Sequence, residues 1–149
     1  MRFTRMELVG VAVTDLDAAV EKYSRLFGLN FHVFTPGDDY ALEVIEEGED
    51  ATPAIPAGGR IAMDTDGCFE LVELPDTPEG VRNIHFRVDD VEAAKAHCLA
   101  EGLRVVRDLR AGAVREVIFE RQDLNGVRVC IAAYEGPSFA EALAGSPRP

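Results

Sequence analysis

Between Arg82 and Val88, polar and apolar side chains alternate, and this puts three chemically useful groups on one face of a predicted strand. That face carries Asn83, His85 and Arg87, which offer an amide, an imidazole and a guanidinium. The opposite face carries Ile84, Phe86 and Val88. Because an imidazole titrates near neutral pH, His85 is the candidate for acid–base chemistry on this strand.

This strand opens the second copy of an internal repeat. Residues 82–94 repeat residues 7–19 at a constant offset, so that Val13 recurs as Val88 and Ala19 as Ala94. In the first copy, the face equivalent to the polar one carries Leu8, Gly10 and Ala12. The predicted strand face is therefore polar in the second copy, whereas the equivalent face in the first copy carries small or apolar side chains. Each strand runs into a predicted helix cap, formed by Thr14 with Asp17 and by Asp89 with Glu92.

Each copy predicts a strand, a helix and then further strands. In the first copy these are a strand at 6–13, a helix at 15–27 that Gly28 ends, and strands at 30–35, 40–46, 60–64 and 68–74. The strands at 30–35 and 40–46 are predicted to form a hairpin, and residues 47–59 to form an exposed loop. The second copy predicts a strand at 82–88, a helix at 91–101 and strands at 103–108, 113–121 and 127–134.

The repeat also predicts the domain organisation. We expect one domain over residues 1–149, with a first βαβββ module at 6–74, a linker at 75–81, a second module at 82–134 and a tail at 135–149. Neither module can bury its own sheet, so the two must pack against each other or against a second chain. Within the tail, residues 138–144 predict one or two helical turns, and residues 145–149 are expected to be disordered.

Composition excludes several classes of partner. A net charge of −12 disfavours nucleic acid and anionic membranes, and 47% hydrophobic residues are enough for a sizeable core. No apolar run approaches the roughly 20 residues that cross a bilayer, and no signal-peptide core is present, so a cytoplasmic location is expected. Three cysteines without CxxC spacing disfavour a disulfide framework or a zinc knuckle. Small molecules or other proteins remain as partners.

The two copies together resemble the vicinal oxygen chelate superfamily, which includes glyoxalase I, methylmalonyl-CoA epimerase, extradiol dioxygenases, fosfomycin-resistance enzymes and bleomycin-resistance proteins. The resemblance covers nearly all of residues 6–134 and rests on segments 14–19, 26–29, 89–94, 100–103 and 123–129. It implies an α+β fold in which two tandem βαβββ modules form a curved, partly open β-barrel around a ligand cavity. It also implies a homodimer. Members of this superfamily share a scaffold but differ in chemistry.

The resemblance further implies where a metal would be bound. Metal-dependent members carry ligands on the first and last strands of each module, and these positions are here Leu8, Glu70, Asn83 and Cys130. Leu8 cannot bind a cation, Asn83 offers only a neutral oxygen, and Cys130 requires a lowered pKa. Only Glu70 matches the pattern. We therefore expect no family-type metal, and a divalent ion, if one is bound, would use Glu70 and His85.

Glu70 and His85 form the predicted catalytic pair, in which one group donates a proton and the other accepts it. The expected ligand contacts are Leu8, Asn83, Arg87, Cys130 and His32, although His32 could face either way on its strand. In a purely structural alternative, Glu70 pairs with Arg87 and Cys130 is an inert buried thiol.

Three functions fit these residues. The first is a glyoxalase-like or bleomycin-resistance-like protein that has lost its metal site and either sequesters a small organic molecule or acts as a metal-free enzyme. The second is a metal-dependent lyase, isomerase or dioxygenase in which His32 or Glu116 completes a set with Glu70 and His85. The third is a protein that fills its cavity with its own side chains and acts by association. A ligand-sized cavity would separate the first two functions from the third, and metal analysis would separate the first from the second.

Overall fold

The computed structural model of the chain describes residue 3, residues 5–48 and residues 55–149. In these ranges nine strands form one sheet, and three α-helices pack on it. The strands are β1 (Arg5–Val13), β2 (Phe31–Phe34), β3 (Leu42–Glu47), β4 (Ile61–Asp64), β5 (Phe69–Glu73), β6 (Gly80–Arg87), β7 (Val105–Ala111), β8 (Val114–Phe119) and β9 (Val129–Ala133). The helices are α1 (Leu16–Phe27), α2 (Val91–Ala100) and α3 (Phe139–Ala144), and a short 3₁₀ helix spans Arg121–Leu124.

The sheet is a curled, open half-barrel with the strand order β2-β4-β5-β1-β6-β9-β8-β7-β3. At its centre, β1 and β6 run antiparallel to each other. Each of these two strands also runs parallel to the last strand of its own half, β1 to β5 and β6 to β9. This arrangement confirms the predicted α+β fold of two βαβββ modules in one curved sheet.

The predicted hairpin between the second and third strands is wrong. β2 pairs with β4, whereas β3 crosses to the opposite edge of the sheet and pairs with β7. A tight turn does form between β2 and β3, because Thr35 donates its backbone N–H to Asp39 Oδ2 at 2.7 Å. The strands then diverge at Tyr40, whose buried ring packs edge-on against Phe34 and carries the chain into the core. The loop predicted at residues 47–59 lies partly outside the described residues.

The two longer helices cover the outer face of the sheet. Leu16 of α1 packs against Val11, Val13, Ala62 and Leu71. The buried side of α2, which consists of Val91, Ala94 and Cys98, packs against Val117, Phe119 and Ile131. Because α1 and α2 occupy the outer face, the inner face is left for α3 and for a cavity. None of the helices in the described ranges is long and apolar enough to cross a bilayer.

The predicted helical turns after β9 are confirmed as α3. Its Phe139 and Leu143 are buried on the inner face, in one cluster with Leu8 and Met63. The expectation of disorder after α3 is wrong at Ser146, whose Oγ accepts a hydrogen bond from the Ala113 N–H at 2.9 Å. This contact ties the end of the chain to the turn between β7 and β8.

The N-cap residue of each long helix lies one position later than the cap predicted from sequence. Asp15 and Asp90 are the N-cap residues, and each accepts a hydrogen bond at 3.0 Å from the backbone N–H three residues on. Thr14, the predicted first cap, instead donates its N–H and hydroxyl to Glu79 Oε2. A side chain already held by Glu79 cannot also cap α1.

We expect Asp90→Ala to lower the free energy of unfolding by about 1 kcal/mol, because the Ala93 N–H at the start of α2 loses its acceptor. Asp89→Ala is the matched control, since Asp89 is the neighbouring exposed acid that the sequence favoured as the cap. Urea titration of both variants measures the difference. A larger loss for Asp89→Ala would show that the cap assignment is incorrect.

Candidate functional site

A cavity of about 460 Å³ lies on the inner face of the sheet. Strands from both halves and helix α3 contribute to its wall, whose apolar part includes Ile61, Met63, Val72, Leu109, Ile118 and Phe139. Its polar groups include Glu70, Arg82, Asn83 and Glu116. Ligand sites in proteins commonly combine a mostly apolar wall with a few convergent polar groups, and the cavity has this character.

Glu70 and Asn83 converge over Gly10. In the sheet, Gly10 of β1 lies beside Glu70 of β5 on one side and beside Asn83 of β6 on the other. A Cβ atom at Gly10 would overlap Asn83 Oδ1 and would lie 3.3 Å from Glu70 Oε1. The absence of a side chain on Gly10 therefore allows the carboxylate and the amide to approach each other.

His85 lies behind these two groups. Its side chain is almost fully buried, with 1% of the residue exposed, and its Nε2 atom lies 3.1 Å from Asn83 Oδ1 and 3.4 Å from Glu70 Oε1. Both neighbours of Nε2 are oxygen acceptors, so the proton of a neutral imidazole belongs on Nε2. The predicted pairing of Glu70 with His85 thus appears in the structure as a direct contact, while Glu70 alone of the two lines the cavity.

Glu116 and Cys130 lie on the other side of the imidazole. His85 and Cys130 are neighbours in the β6–β9 pairing, and Glu116 Oε1 lies 3.5 Å from His85 Nδ1. Glu116 also lines the cavity, whereas Cys130 is fully buried beside it. The imidazole is therefore enclosed between two carboxyl groups and a thiol.

Burial and mutual charge shift the pKa values of this cluster in different directions. Burial alone would raise the pKa of Glu70, but the hydrogen bond and charge of His85 lower it. Burial alone would lower the pKa of His85, but Glu70 raises it. The pKa of Glu116 is raised, chiefly by burial, and burial also raises the pKa of the Cys130 thiol well above its ordinary value. The two carboxyl groups around His85 thus differ in their affinity for a proton.

Sequence alternation misses Arg82, which should lie on the same face as Ile84. In the structure, β6 carries an extra residue between Val81 and Asn83 relative to β1, since Gly10 pairs with Asn83 and Val11 pairs with Val81. Arg82 occupies this bulge and lines the cavity. A β-bulge changes the face of the sheet to which a side chain points. No local pattern in the sequence predicts the bulge at Arg82.

The remaining candidate residues, Leu8, His32 and Arg87, do not line the cavity. Leu8 is buried in the inner core, and His32 lies on β2 with its Nε2 atom 3.6 Å from Glu141 Oε1. Arg87 donates to the carbonyl oxygens of Tyr134 and Gly136 and lies 4.1 Å over the Tyr134 ring. The carboxylate of Glu70 contacts His85 Nε2 at 3.4 Å.

Comparison with known proteins identifies the family of the chain. The family model of the glyoxalase/bleomycin resistance protein/dioxygenase superfamily matches residues 5–131. The chain belongs to this superfamily. No curated protein matches the chain.

Solved structures of methylmalonyl-CoA epimerases share the superfamily fold with the chain. One, in complex with methylmalonyl-CoA and NH4+, is 24% identical, has a TM-score of 0.65 and matches over 92% of this chain and 99% of its own. A variant of the Streptomyces coelicolor enzyme in complex with 2-nitronate-propionyl-CoA is 25% identical, with a TM-score of 0.64 over 91% of this chain and 100% of its own. The Mycobacterium tuberculosis enzyme is 21% identical, with a TM-score of 0.63 over 90% of both chains.

The four positions that correspond to the superfamily's metal ligands do not fit a divalent ion in this chain. Leu8 has no donor atom, and Asn83 Oδ1 already lies within hydrogen-bonding distance of His85 Nε2. Glu70 is the only charged oxygen ligand of the four, and Cys130 belongs to the buried cluster on the far side of His85. One carboxylate and one neutral oxygen form a weak donor set for a catalytic ion.

Proposed function

We propose that this superfamily member binds a small organic molecule in its inner cavity and that the inherited metal positions take no part in binding. The observation that carries this proposal is the cavity itself, in which an apolar wall ends in the polar group formed by Glu70, Arg82, Asn83 and Glu116. Such a site suits a molecule with an apolar body and an oxygen-bearing end. Open space of about 460 Å³ also favours ligand binding over a cavity filled by the protein's own side chains.

Glu70 and His85 have different roles in this proposal. Glu70 reaches the cavity and would contact the ligand directly, either as a hydrogen-bond acceptor or as the group that receives a proton from it. His85 is buried and acts through Glu70 and Asn83, whose oxygens its Nε2–H group orients. His85 is therefore a positioning residue, and Asn83 and Arg82 complete the polar contacts.

The ligands of the similar epimerase structures suggest a class of probe. Methylmalonyl-CoA and 2-nitronate-propionyl-CoA each carry a short polar acyl group on a thioester. Arg82 and Arg107 both line the cavity here, and a cationic side chain suits a carboxylate or a thioester oxygen. We therefore propose a short, anionic acyl compound as the ligand class, with methylmalonyl-CoA and free methylmalonate as the first probes.

We expect methylmalonyl-CoA to raise the thermal unfolding temperature of the protein in a saturable way, because a ligand that binds only the folded state stabilises it. Glu70→Gln should weaken binding about tenfold, since the charged acceptor is replaced by an amide of the same shape. Calorimetric titration measures the affinity, and circular dichroism checks the fold. Glu135→Gln, an exposed site beyond β9, is the control for the loss of one negative charge.

Equal affinities of the wild type and Glu70→Gln would rule out the proposed contact. If ligand binding is confirmed, solvent deuterium exchange at the acidic C–H of methylmalonyl-CoA distinguishes an enzyme from a sequestering protein. Exchange that depends on Glu70 would indicate proton transfer, and binding without exchange would indicate sequestration of the bleomycin-resistance type.

A metal-dependent lyase, isomerase or dioxygenase is the second candidate function. It is favoured by one observation, the meeting of His85, Glu116 and Cys130 behind the cavity wall. The homodimer, the cytoplasmic location and the module boundaries remain predictions.

A further inference from the structure

We propose that His85, Glu116 and Cys130 form a binding site for one Zn²⁺ ion, displaced from the metal position of the superfamily. Of the four inherited positions, this site uses only Cys130. Two of its three residues, Cys130 and His85, lie behind the residues that line the cavity, whereas Glu116 reaches the cavity.

The distances within the trio suit a tetrahedral ion. One donor atom of each residue lies within 4.8 Å of the other two, and His85 Nδ1 lies 3.5 Å from Glu116 Oε1. With zinc–nitrogen and zinc–oxygen bonds of about 2.0–2.2 Å, two ligand atoms of one tetrahedron lie roughly 3.4 Å apart. The nitrogen and the carboxylate oxygen thus already have the separation that a shared zinc ion requires.

His85 Nδ1 is a buried nitrogen that has no hydrogen-bond partner among the described residues. The other ring nitrogen, Nε2, lies close to Asn83 Oδ1 and Glu70 Oε1, so its proton is directed to these oxygens. The lone pair of the neutral ring is then on Nδ1, which lies 3.5 Å from Glu116 Oε1. Metal-bound histidines usually show this arrangement, with the second ring nitrogen donating to a carboxylate or carbonyl oxygen.

The donor atoms of Cys130, His85 and Glu116 favour Zn²⁺ over Mg²⁺ and Ca²⁺. A thiolate, an imidazole nitrogen and a carboxylate oxygen are common zinc ligands, whereas Mg²⁺ and Ca²⁺ prefer oxygen ligands throughout. Binding would release the proton of the Cys130 thiol, since the metal coordinates the thiolate. Glu116 also lines the cavity and so provides the entry route for the ion. Three protein ligands leave one coordination position for water or for a ligand oxygen.

The test begins with protein purified without chelator, stripped of metal and titrated with Zn²⁺ in competition with a chromophoric indicator. We expect one Zn²⁺ per chain, one thiol proton released, and at least a 100-fold loss of affinity in Cys130→Ser and in Glu116→Gln. Cys98→Ser is the matched control, because Cys98 is also buried but lies on α2, in a separate cluster. Its affinity for Zn²⁺ should equal that of the wild type.

Cobalt gives a readout that does not depend on any variant. Co²⁺ bound at this site should show the charge-transfer absorption of a cobalt–thiolate bond, and this test holds even if Cys130→Ser fails to fold. Three results would each overturn the proposal: no saturable Zn²⁺ binding, no thiolate band with Co²⁺, or binding that survives Cys130→Ser but is lost in Cys68→Ser. The last would assign the metal to the exposed surface thiol.

Discussion

Asp108→Asn should lower the free energy of unfolding by about 3 kcal/mol, because it removes the carboxylate from a buried ion-pair network. Asp108 is 0% exposed and accepts hydrogen bonds from Lys95 Nζ at 2.8 Å and from two nitrogens of Arg115 at 2.7 Å. An asparagine cannot neutralise either cation, so two half-buried charges would lose their shared partner. Urea titration at pH 7 measures the loss.

The network also joins separate elements of the sheet. Lys95 of α2 bridges Asp108 on β7 to Glu46 on the edge strand β3, and Arg115 bridges Asp108 to Glu92. The loss of Asp108 should therefore loosen β3, which supplies part of the cavity wall. Increased hydrogen exchange at β3 in the variant would show this effect directly.

The same substitution should change how stability depends on pH. Burial alone would raise the pKa of Asp108, but the hydrogen bonds from Arg115 and Lys95 lower it. A carboxyl group whose pKa is lower in the folded than in the unfolded state stabilises the protein above the unfolded pKa of about 3.9. That stability is lost as the pH falls through the lowered folded pKa. Below about pH 4 the wild type should therefore lose stability more steeply than Asp108→Asn.

Glu21→Gln is the control for Asp108→Asn. Glu21 pairs with Arg25 at 3.2 Å on the exposed face of α1, and such surface pairs contribute at most about 0.5 kcal/mol. Equal losses for the two variants, or parallel pH profiles for wild type and Asp108→Asn, would show that the buried network does not stabilise the fold.

Gly10→Ala should destabilise the protein by about 2–3 kcal/mol and weaken ligand binding at least tenfold. The new methyl group would overlap Asn83 Oδ1 and crowd Glu70 Oε1 at 3.3 Å. Asn83 would have to move away, and His85 Nε2 would then lose its closest acceptor. One added carbon thus disturbs the packing of the inner face and the polar end of the cavity together.

Gly145→Ala is the matched control for Gly10→Ala. A Cβ atom at Gly145 meets its nearest neighbour, the Glu141 carbonyl oxygen, at an ordinary distance of 3.4 Å, and the residue has an ordinary helical conformation. Thermal unfolding and calorimetric titration of both variants separate a steric effect from a general effect of replacing glycine. If Gly10→Ala retained wild-type stability and affinity, Asn83 and Glu70 would not be held in place as described.

Local patterns in the sequence predicted most of the secondary structure. The repeat of residues 7–19 at 82–94 predicted two equivalent strand–helix units, and the structure confirms both. Period-two alternation put Asn83 and His85 on the inner face, because the side chains of a strand point alternately to its two faces. The caps were misplaced by one residue, since neighbouring acids such as Asp89 and Asp90 are equally able to cap when only the sequence is considered.

The candidate site was only partly predictable. Glu70 was identified from its position in the resemblance and His85 from strand alternation, and the structure shows that the two are in contact. The burial of His85 behind Glu70, and the meeting of its second nitrogen with Glu116, depend on how β6, β8 and β9 are aligned. That alignment joins residues far apart in the chain, and no single segment encodes it.

The sequence by itself determined the elements, their faces and the duplicated architecture, because these follow from side-chain periodicity and turn chemistry within short segments. Tertiary structure alone decided where β3 pairs, how the bulge turns Arg82 into the cavity, and which donors surround His85. Each of these depends on contacts between residues far apart in the chain, such as the bridge from Lys95 to Glu46. The alignment of neighbouring strands, and the choice of the strand that lies at each edge of the sheet, depend on many such contacts. A pattern within one short segment does not predict them.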